Sequence, residues 1–296
     1  MANRIFGQIP NFPEGSSFAS RAELSRAGVH RPTMAGISGA GEEGADSIVL
    51  SGGYEDDRDE GDEIIYTGHG GRDPNSGKQV ADQQFTAGNK ALALDKARGL
   101  PVRVIRGNML DSKYAPKEEY RYDGLYYVDD FWSEIGRSGH RVWRYRLVKE
   151  KGKPVPVEDS LVASPSDRRA ERVETTIQRL VRDTKQSRQI KSLYDYTCQF
   201  CGIRLSTSVG GYAEGAHIRP LGRPHDGPDS SDNLLCSCPN HHVLFDMGAI
   251  SVNDDLTLIG MAGKLTLHAK HKVNSDHLRY HRVHYADTPT ATTNTA

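Results

Sequence analysis

The sequence predicts an α+β chain in two parts, a β-rich N-terminal part and a smaller metal-stapled C-terminal part. Three observations carry this expectation. Short apolar runs separated by glycine-rich turns fill residues 1–150. One Ala- and Leu-dense helical stretch interrupts them. All four cysteines fall within residues 198–238, a clustering that points to metal before disulfides. Thirty glycines in 296 residues also favour strands and turns over a helical bundle.

Taken in order, residues 47–50 (SIVL), 63–66 (EIIY) and 101–105 (PVRVI) read as strands. Residues 83–97 read as a helix, with Gly99 just past its end. Residues 122–132 and 140–148 read as a closing strand pair. KGKPVP at 151–156 signals a linker. From Ser164 to Tyr194 the pattern is helical, with Ala170, Val173, Ile177, Leu180 and Thr184 on one stripe. That helix is basic, so it reads either as a solvated face or as a connector lying on phosphates. The expected division is 1–150, a linker and basic helix at 151–194, a compact domain at 195–270, and a C-terminal segment at 271–296. The last ten residues (DTPTATTNTA) are low-complexity and expected to be disordered.

The formal net charge of −1 excludes a global field that would draw the chain to nucleic acid. Any such binding must come from local patches. Residues 1–13 show no secretory apolar core, and no run of 18 apolar residues exists. The expectation is a cytoplasmic chain with no membrane partner.

The C-terminal part holds Cys198-x-x-Cys201 and Cys238-x-x-His241. Two such pairs can close a tetrahedral structural Zn²⁺ site. Cys236 competes with Cys238, but only Cys238 stands two residues from His241. Between the pairs lie Ala216-His217-Ile218-Arg219-Pro220 and Asp232-Asn233-Leu234-Leu235, and His242 follows His241. These segments, with Phe245-Asp246 after them, resemble the HNH nuclease family, a ββα-metal fold with a zinc knuckle. The resemblance implies His217 as the general base, Asn233 as the residue orienting that ring, and His242 as ligand of a catalytic divalent ion, Mg²⁺ or Mn²⁺. Phosphodiester hydrolysis suits these types, because an imidazole titrating near neutrality can take a proton from water. Many family members carry Asp or His just before the base, where this chain has Ala216. Glu214 and Asp246 are then the candidates for a second ligand.

The N-terminal resemblance is denser. Gly28-Val29-His30-Arg31-Pro32, residues 50–57 (LSGGYEDD), residues 66–73 (YTGHGGRD), Asn89-x-Ala91-Leu92-Ala93, Lys113-Tyr114-Ala115-Pro116, Tyr122-Asp123-Gly124 and Val142-Trp143-Arg144-Tyr145 are similar to the SRA (YDG) domain. The resemblance implies a strongly curved β-barrel that takes a 5-methylcytosine flipped from duplex DNA, with pocket volume deciding whether 5-hydroxymethylcytosine is accepted. Tyr54 and Tyr66 match the positions that sandwich the base. Asp57 matches the acceptor of the cytosine N4 amine, which would repel thymine O4. Thr67, Gly53 and Ser51 match the rest of the pocket. Met34 matches one DNA-inserting loop and Gly77, Lys78 and Gln79 the other. The Asn and Arg of family members that prefer hemimethylated sites are missing there, so reading of either strand is expected. The combination resembles bacterial modification-dependent restriction endonucleases, with double-stranded DNA as partner and a homodimer to make two nicks. The rival is a binding module whose second domain is only a zinc knuckle.

Overall fold

The computed structural model describes residues 4–73, 75–150, 184–208 and 210–286. The chain divides into two compact units, Met1–Thr175 and Thr176–Ala296.

Unit 1 opens with β1 (Ser17–Phe18) and α1 (Arg21–Arg26), followed by β2 (Ile37–Ala40), β3 (Gly44–Leu50), β4 (Arg58–Asp59) and β5 (Glu63–Thr67). Then come α2 (Ala87–Arg98), β6 (Pro101–Gly107), β7 (Tyr120–Ile135) and β8 (Arg141–Lys149). The strands form one sheet in the order β2-β3-β6-β7-β8-β5-β4, with β1 on β7. Among the described residues the expected SRA-like sheet forms as a bulged sheet with β2 and β4 at its ends, and it does not close into a full barrel. β4 has only two residues, too few to carry a ladder onward.

The predicted strands all form, most of them longer than expected. β3 and β6 pair in parallel and every residue of both is buried. A parallel pair needs a crossover, and α2 supplies it, packing on β2, β3 and β7. The helix begins at Ala87 rather than 83 because Gln83 has other work. Its amide N–H donates to Gly68 O, its side-chain oxygen accepts from Trp143 N, and its backbone N–H donates to Arg141 O. Gln83 thus serves as an edge partner for β8.

The Tyr122-Asp123-Gly124 segment shapes the sheet. Gly124 takes φ +100°, where a β-carbon is disfavoured, and the register of β6 on β7 shifts there. Asp123 accepts from Arg106 at 2.8 Å, and the same buried guanidinium donates to Asp59 at 2.7 Å. Part of the acidic 55–63 run is therefore neutralised from within.

Unit 2 contains α3 (Lys185–Leu193), the hairpin β9 (Leu205–Thr207) and β10 (Gly210–Tyr212), and the hairpin β11 (Glu214–His217) and β12 (Leu234–Ser237). It continues with α4 (Pro239–Asp246), the short pair β13 (Ser251–Val252) and β14 (Leu258–Ile259), and α5 (Ser275–His281). Pro239 suits the first helical turn, where its missing N–H has no partner to lose. Cys198, Phe200, Ala216, Leu235, Phe245 and Leu278 share one core. α5 belongs to that core although it lies beyond residue 270. His281 stacks on Phe245 at 3.7 Å, donates to Phe245 O and accepts from Ser251. Of the long basic helix expected from Ser164, α3 is the described part; residues 151–183 and the tail from 287 lie outside the described residues.

Candidate functional site

Unit 1 contains a cavity of about 600 Å³. Ser51, Gly53, Tyr54, Asp57, Tyr66 and Met34 all line it, so five of the six expected base-contacting residues and one residue of an expected inserting loop share one cavity. The sixth, Thr67, stands behind Asp57. Its backbone N–H donates to Asp57 Oδ1 at 2.7 Å, and its hydroxyl accepts from Arg144 Nη1 at 2.6 Å. Thr67 therefore braces the carboxylate. Burial pushes the Asp57 carboxyl up to about 6, against the opposing pull of the Thr67 N–H and of Arg144. Burial also raises both tyrosine hydroxyls, Tyr66 the more strongly, so both rings are neutral stacking faces. Tyr66 is packed so closely that a β-carbon on Gly36 would sit 2.7 Å from its hydroxyl.

One loop lines this cavity, and a second meets it through Arg72, whose Nε donates to Gly77 O. The first runs from His30 to Gly36. His30 is buried, its Nδ1 2.9 Å from the Ser47 hydroxyl and its Nε2 donating to Ala35 O at 3.0 Å. Burial drops its pKa to about 3, which keeps it neutral. Arg21 donates to Pro32 O and Ala35 O. With both flanks pinned, Met34 is left 92% exposed. The second loop carries Gly77, Lys78 and Gln79. Lys78 faces solvent, whereas the Gln79 amide is turned inward and donates to Gly70 O and Ala81 O. Gln79 thus holds the loop through its amide nitrogen. The structure adds Arg72 and Arg21 to the cavity wall, neither of which the sequence reading singled out. The Gly-Gly-Arg-Asp block carried Arg72 in plain sight, but a lone arginine in a turn has no periodic signature.

In unit 2, Cys198, Cys201, Cys238 and His241 place their ligand atoms within 4.8 Å of one another. His241 Nδ1 lies 3.1 Å from Cys238 Sγ and 3.9 Å from Cys198 Sγ. Three thiols and an imidazole at such spacing fit a tetrahedral metal ion. Cys236 lies in a different apolar cluster, with Ile190 and Leu234, and burial pushes its thiol up to about 12.

His217 ends β11 and His242 lies in the first turn of α4. His217 Nε2 is 3.1 Å from Asp229 Oδ1, and burial lowers its pKa despite that carboxylate. Asn233 does not touch the ring. Its oxygen accepts from Arg219 N and its amide donates to Arg219 O and Pro228 O, each at 2.8 Å. A carboxamide has one acceptor and two donors, and backbone takes all three. Asn233 thus staples the 219–228 loop that follows His217, and Asp229 is the carboxylate at the imidazole. Asp229 was missed because it sits in a polar loop with no spacing that marks it.

His242 Nδ1 is 2.7 Å from Glu214 Oε2, and His242 Nε2 is 3.4 Å from Asp246 Oδ2. Glu214 is buried on the same strand face as Ala216, whose methyl lies in the core. Both carboxylates offered for a second ligand thus flank one imidazole, one at each nitrogen.

Comparison with known proteins follows this geometry closely. Residues 5–153 match the SAD/SRA domain family and residues 198–253 match the HNH endonuclease family. A solved structure, the modification dependent TagI restriction endonuclease, is 43% identical, covering 95% of this chain and 96% of its own, with a TM-score of 0.53. The chain belongs to the SAD/SRA family. Within it, this SRA–HNH chain falls among the modification-dependent restriction endonucleases. E3 ubiquitin-protein ligase UHRF1 of Rattus norvegicus is 46% identical over 172 residues, 51% of this chain. UHRF2 of Homo sapiens is 45% identical over 174 residues, again 51% of this chain. The SRA–HNH chain spans only 22% of the length of either ligase. Among the described residues, no helix is long and apolar enough to cross a membrane.

Proposed function

We propose that this chain is a metal-dependent restriction endonuclease that takes a modified cytosine, flipped out of duplex DNA, into the unit 1 cavity and cuts nearby with unit 2. The observation that carries the reading is Asp57, a desolvated carboxylate on a wall shared with Tyr54 and Tyr66. A flipped base needs new stacking faces, and the two rings supply them. The carboxylate accepts from the N4 amine that separates cytosine from thymine. 5-Methylcytosine is the substrate, with 5-hydroxymethylcytosine admitted by a cavity of this size. Met34 enters the gap left in the stack, and Lys78 approaches the opposite face.

In unit 2, Cys198, Cys201, Cys238 and His241 hold a structural Zn²⁺ that pins the 198–201 turn to α4. His242 and Asp246 hold a catalytic divalent ion, Mg²⁺ or Mn²⁺, which when bound supplies charge stabilisation at the scissile phosphate. Glu214 holds the His242 ring by Nδ1–H and leaves Nε2 toward Asp246. His217, kept neutral by burial and oriented by Asp229, accepts a proton from the attacking water. Residues 1–150 read and the HNH unit cuts. Two copies act at a site to break both strands, in the cytoplasm, against modified foreign DNA.

The decisive experiment is digestion of otherwise identical methylated and unmethylated plasmids with Mg²⁺ or Mn²⁺. The expected outcome is cleavage of the methylated plasmid alone. Equal cleavage of both would remove the reader role, and cleavage of neither would remove the nuclease role.

A further inference from the structure

We propose that Arg72 is a positioning residue that couples the 73–79 loop to the tyrosine wall of the cavity, so that loop insertion and capture of the base occur together. The inference rests on reading the cavity as a base pocket and goes on to say how the pocket senses the duplex.

Arg72 Nε donates to Gly77 O at 2.7 Å. The same guanidinium lies over the Tyr54 ring, 4.8 Å from its centroid. A planar fork can do both because its edge donates while its face stacks. The space around it is narrow. A β-carbon at Gly77 would come to 2.9 Å of Nη2, and one at Gly53 to 3.2 Å of Nη1. The cation is thus held between the inserting loop and the cavity rim.

Other bonds close the circuit. Gly70 N–H donates to the Tyr54 hydroxyl at 3.2 Å, and the Gln79 amide donates to Gly70 O at 3.0 Å. Arg72 and Gln79 face each other across an antiparallel bridge. The Asp73 carboxylate ties down the N–H groups of Asn75 and Ser76. A displacement of the loop therefore drags the guanidinium off the Tyr54 ring or drags the ring with it. Lysine at this position keeps the charge but has no edge-and-face geometry with which to link the two.

The test uses the full chain and duplexes with one 5-methylcytosine beside a 2-aminopurine that brightens on unstacking, with unmethylated duplexes as reference. Arg72→Lys lowers the methylated-to-unmethylated affinity ratio on the order of tenfold, with a matching loss of the 2-aminopurine signal. Gly77→Ala, which leaves Arg72 in place but crowds its guanidinium, gives the same two losses and decides the matter if Arg72→Lys folds poorly. An unchanged ratio and signal overturns the proposal. So does a loss shared equally by both duplexes with a salt slope shallower by about one unit, which makes Arg72 a plain phosphate contact. Wild-type chain that binds both duplexes equally, with no unstacking signal, strikes the pocket reading itself and is distinct from either result.

Discussion

At the scale of single residues, the two units place titratable groups in opposed surroundings. Asp57 is a carboxyl raised to about 6 by burial, and on the proposed reading it accepts from an amine as a carboxylate. The charged form binds the base, so discrimination is full above pH 6 and falls as pH drops through 6. Binding of methylated and unmethylated duplexes measured from about pH 7.5 to about pH 5, on either side of that pKa, checks this; a ratio that stays constant sinks the assignment. Asp57→Ala removes the preference while retaining binding through phosphates. His217→Ala lowers cleavage by about 10²- to 10⁴-fold with methylated-DNA affinity unchanged, the magnitude of a lost general base. Glu214→Gln weakens Mn²⁺ affinity about 10- to 100-fold, as loss of an outer partner to a metal-bound imidazole does. Calorimetric titration of Mn²⁺ reads that out without reference to cleavage.

At the scale of elements, the YDG segment and the Cys/His cluster of unit 2 lie next to the residues of the two candidate sites. Asp123 shares the buried Arg106 with Asp59, and Asp59 follows Asp57 by two residues. Asp123→Ala leaves that guanidinium half-paired and costs about 3 kcal/mol, visible as an earlier urea transition of unit 1. α4 holds both His241 and His242, one turned to the thiols and one to Glu214. Cys198→Ser, or a strong chelator, therefore melts unit 2 and abolishes cleavage, while unit 1 still binds methylated duplex. Circular dichroism melting with a parallel binding assay separates the two transitions. Strands such as β3, β5 and β6 were legible because apolar runs mark them in sequence. The start of α2 was not, because Gln83 is recruited by Gly68, Arg141 and Trp143, which lie far away along the chain. α5 escaped notice for the same reason: its value lies in the stack of His281 on Phe245, 36 residues apart.

At the scale of the whole molecule, a net charge of −1 means that no general attraction to DNA masks the chemistry of the pocket. On the proposed reading, affinity comes from local cations such as Lys78, and selectivity from the cavity. The proposed double-strand break needs two HNH centres. Sedimentation of the chain with a methylated duplex is expected to show two protein copies per cut site, and a strict one-to-one complex that still cuts both strands would refute the pairing.

Residue identity and spacing alone sufficed for the α+β class, the strand runs, the Cys198/Cys201/Cys238/His241 set, and the resemblance that picked out Tyr54, Asp57, Tyr66, His217 and His242. Short-range chemistry writes itself into neighbouring positions, so such features survive in one dimension. Folding was needed to leave the sheet open at β2 and β4, to turn Gln79 inward, to tie Asn233 to the 219–228 loop, and to bring Asp229 and Arg72 into play. Each of those outcomes depends on which hydrogen-bond partners distant segments deliver, and a buried polar group takes whatever partner the packed chain puts within reach.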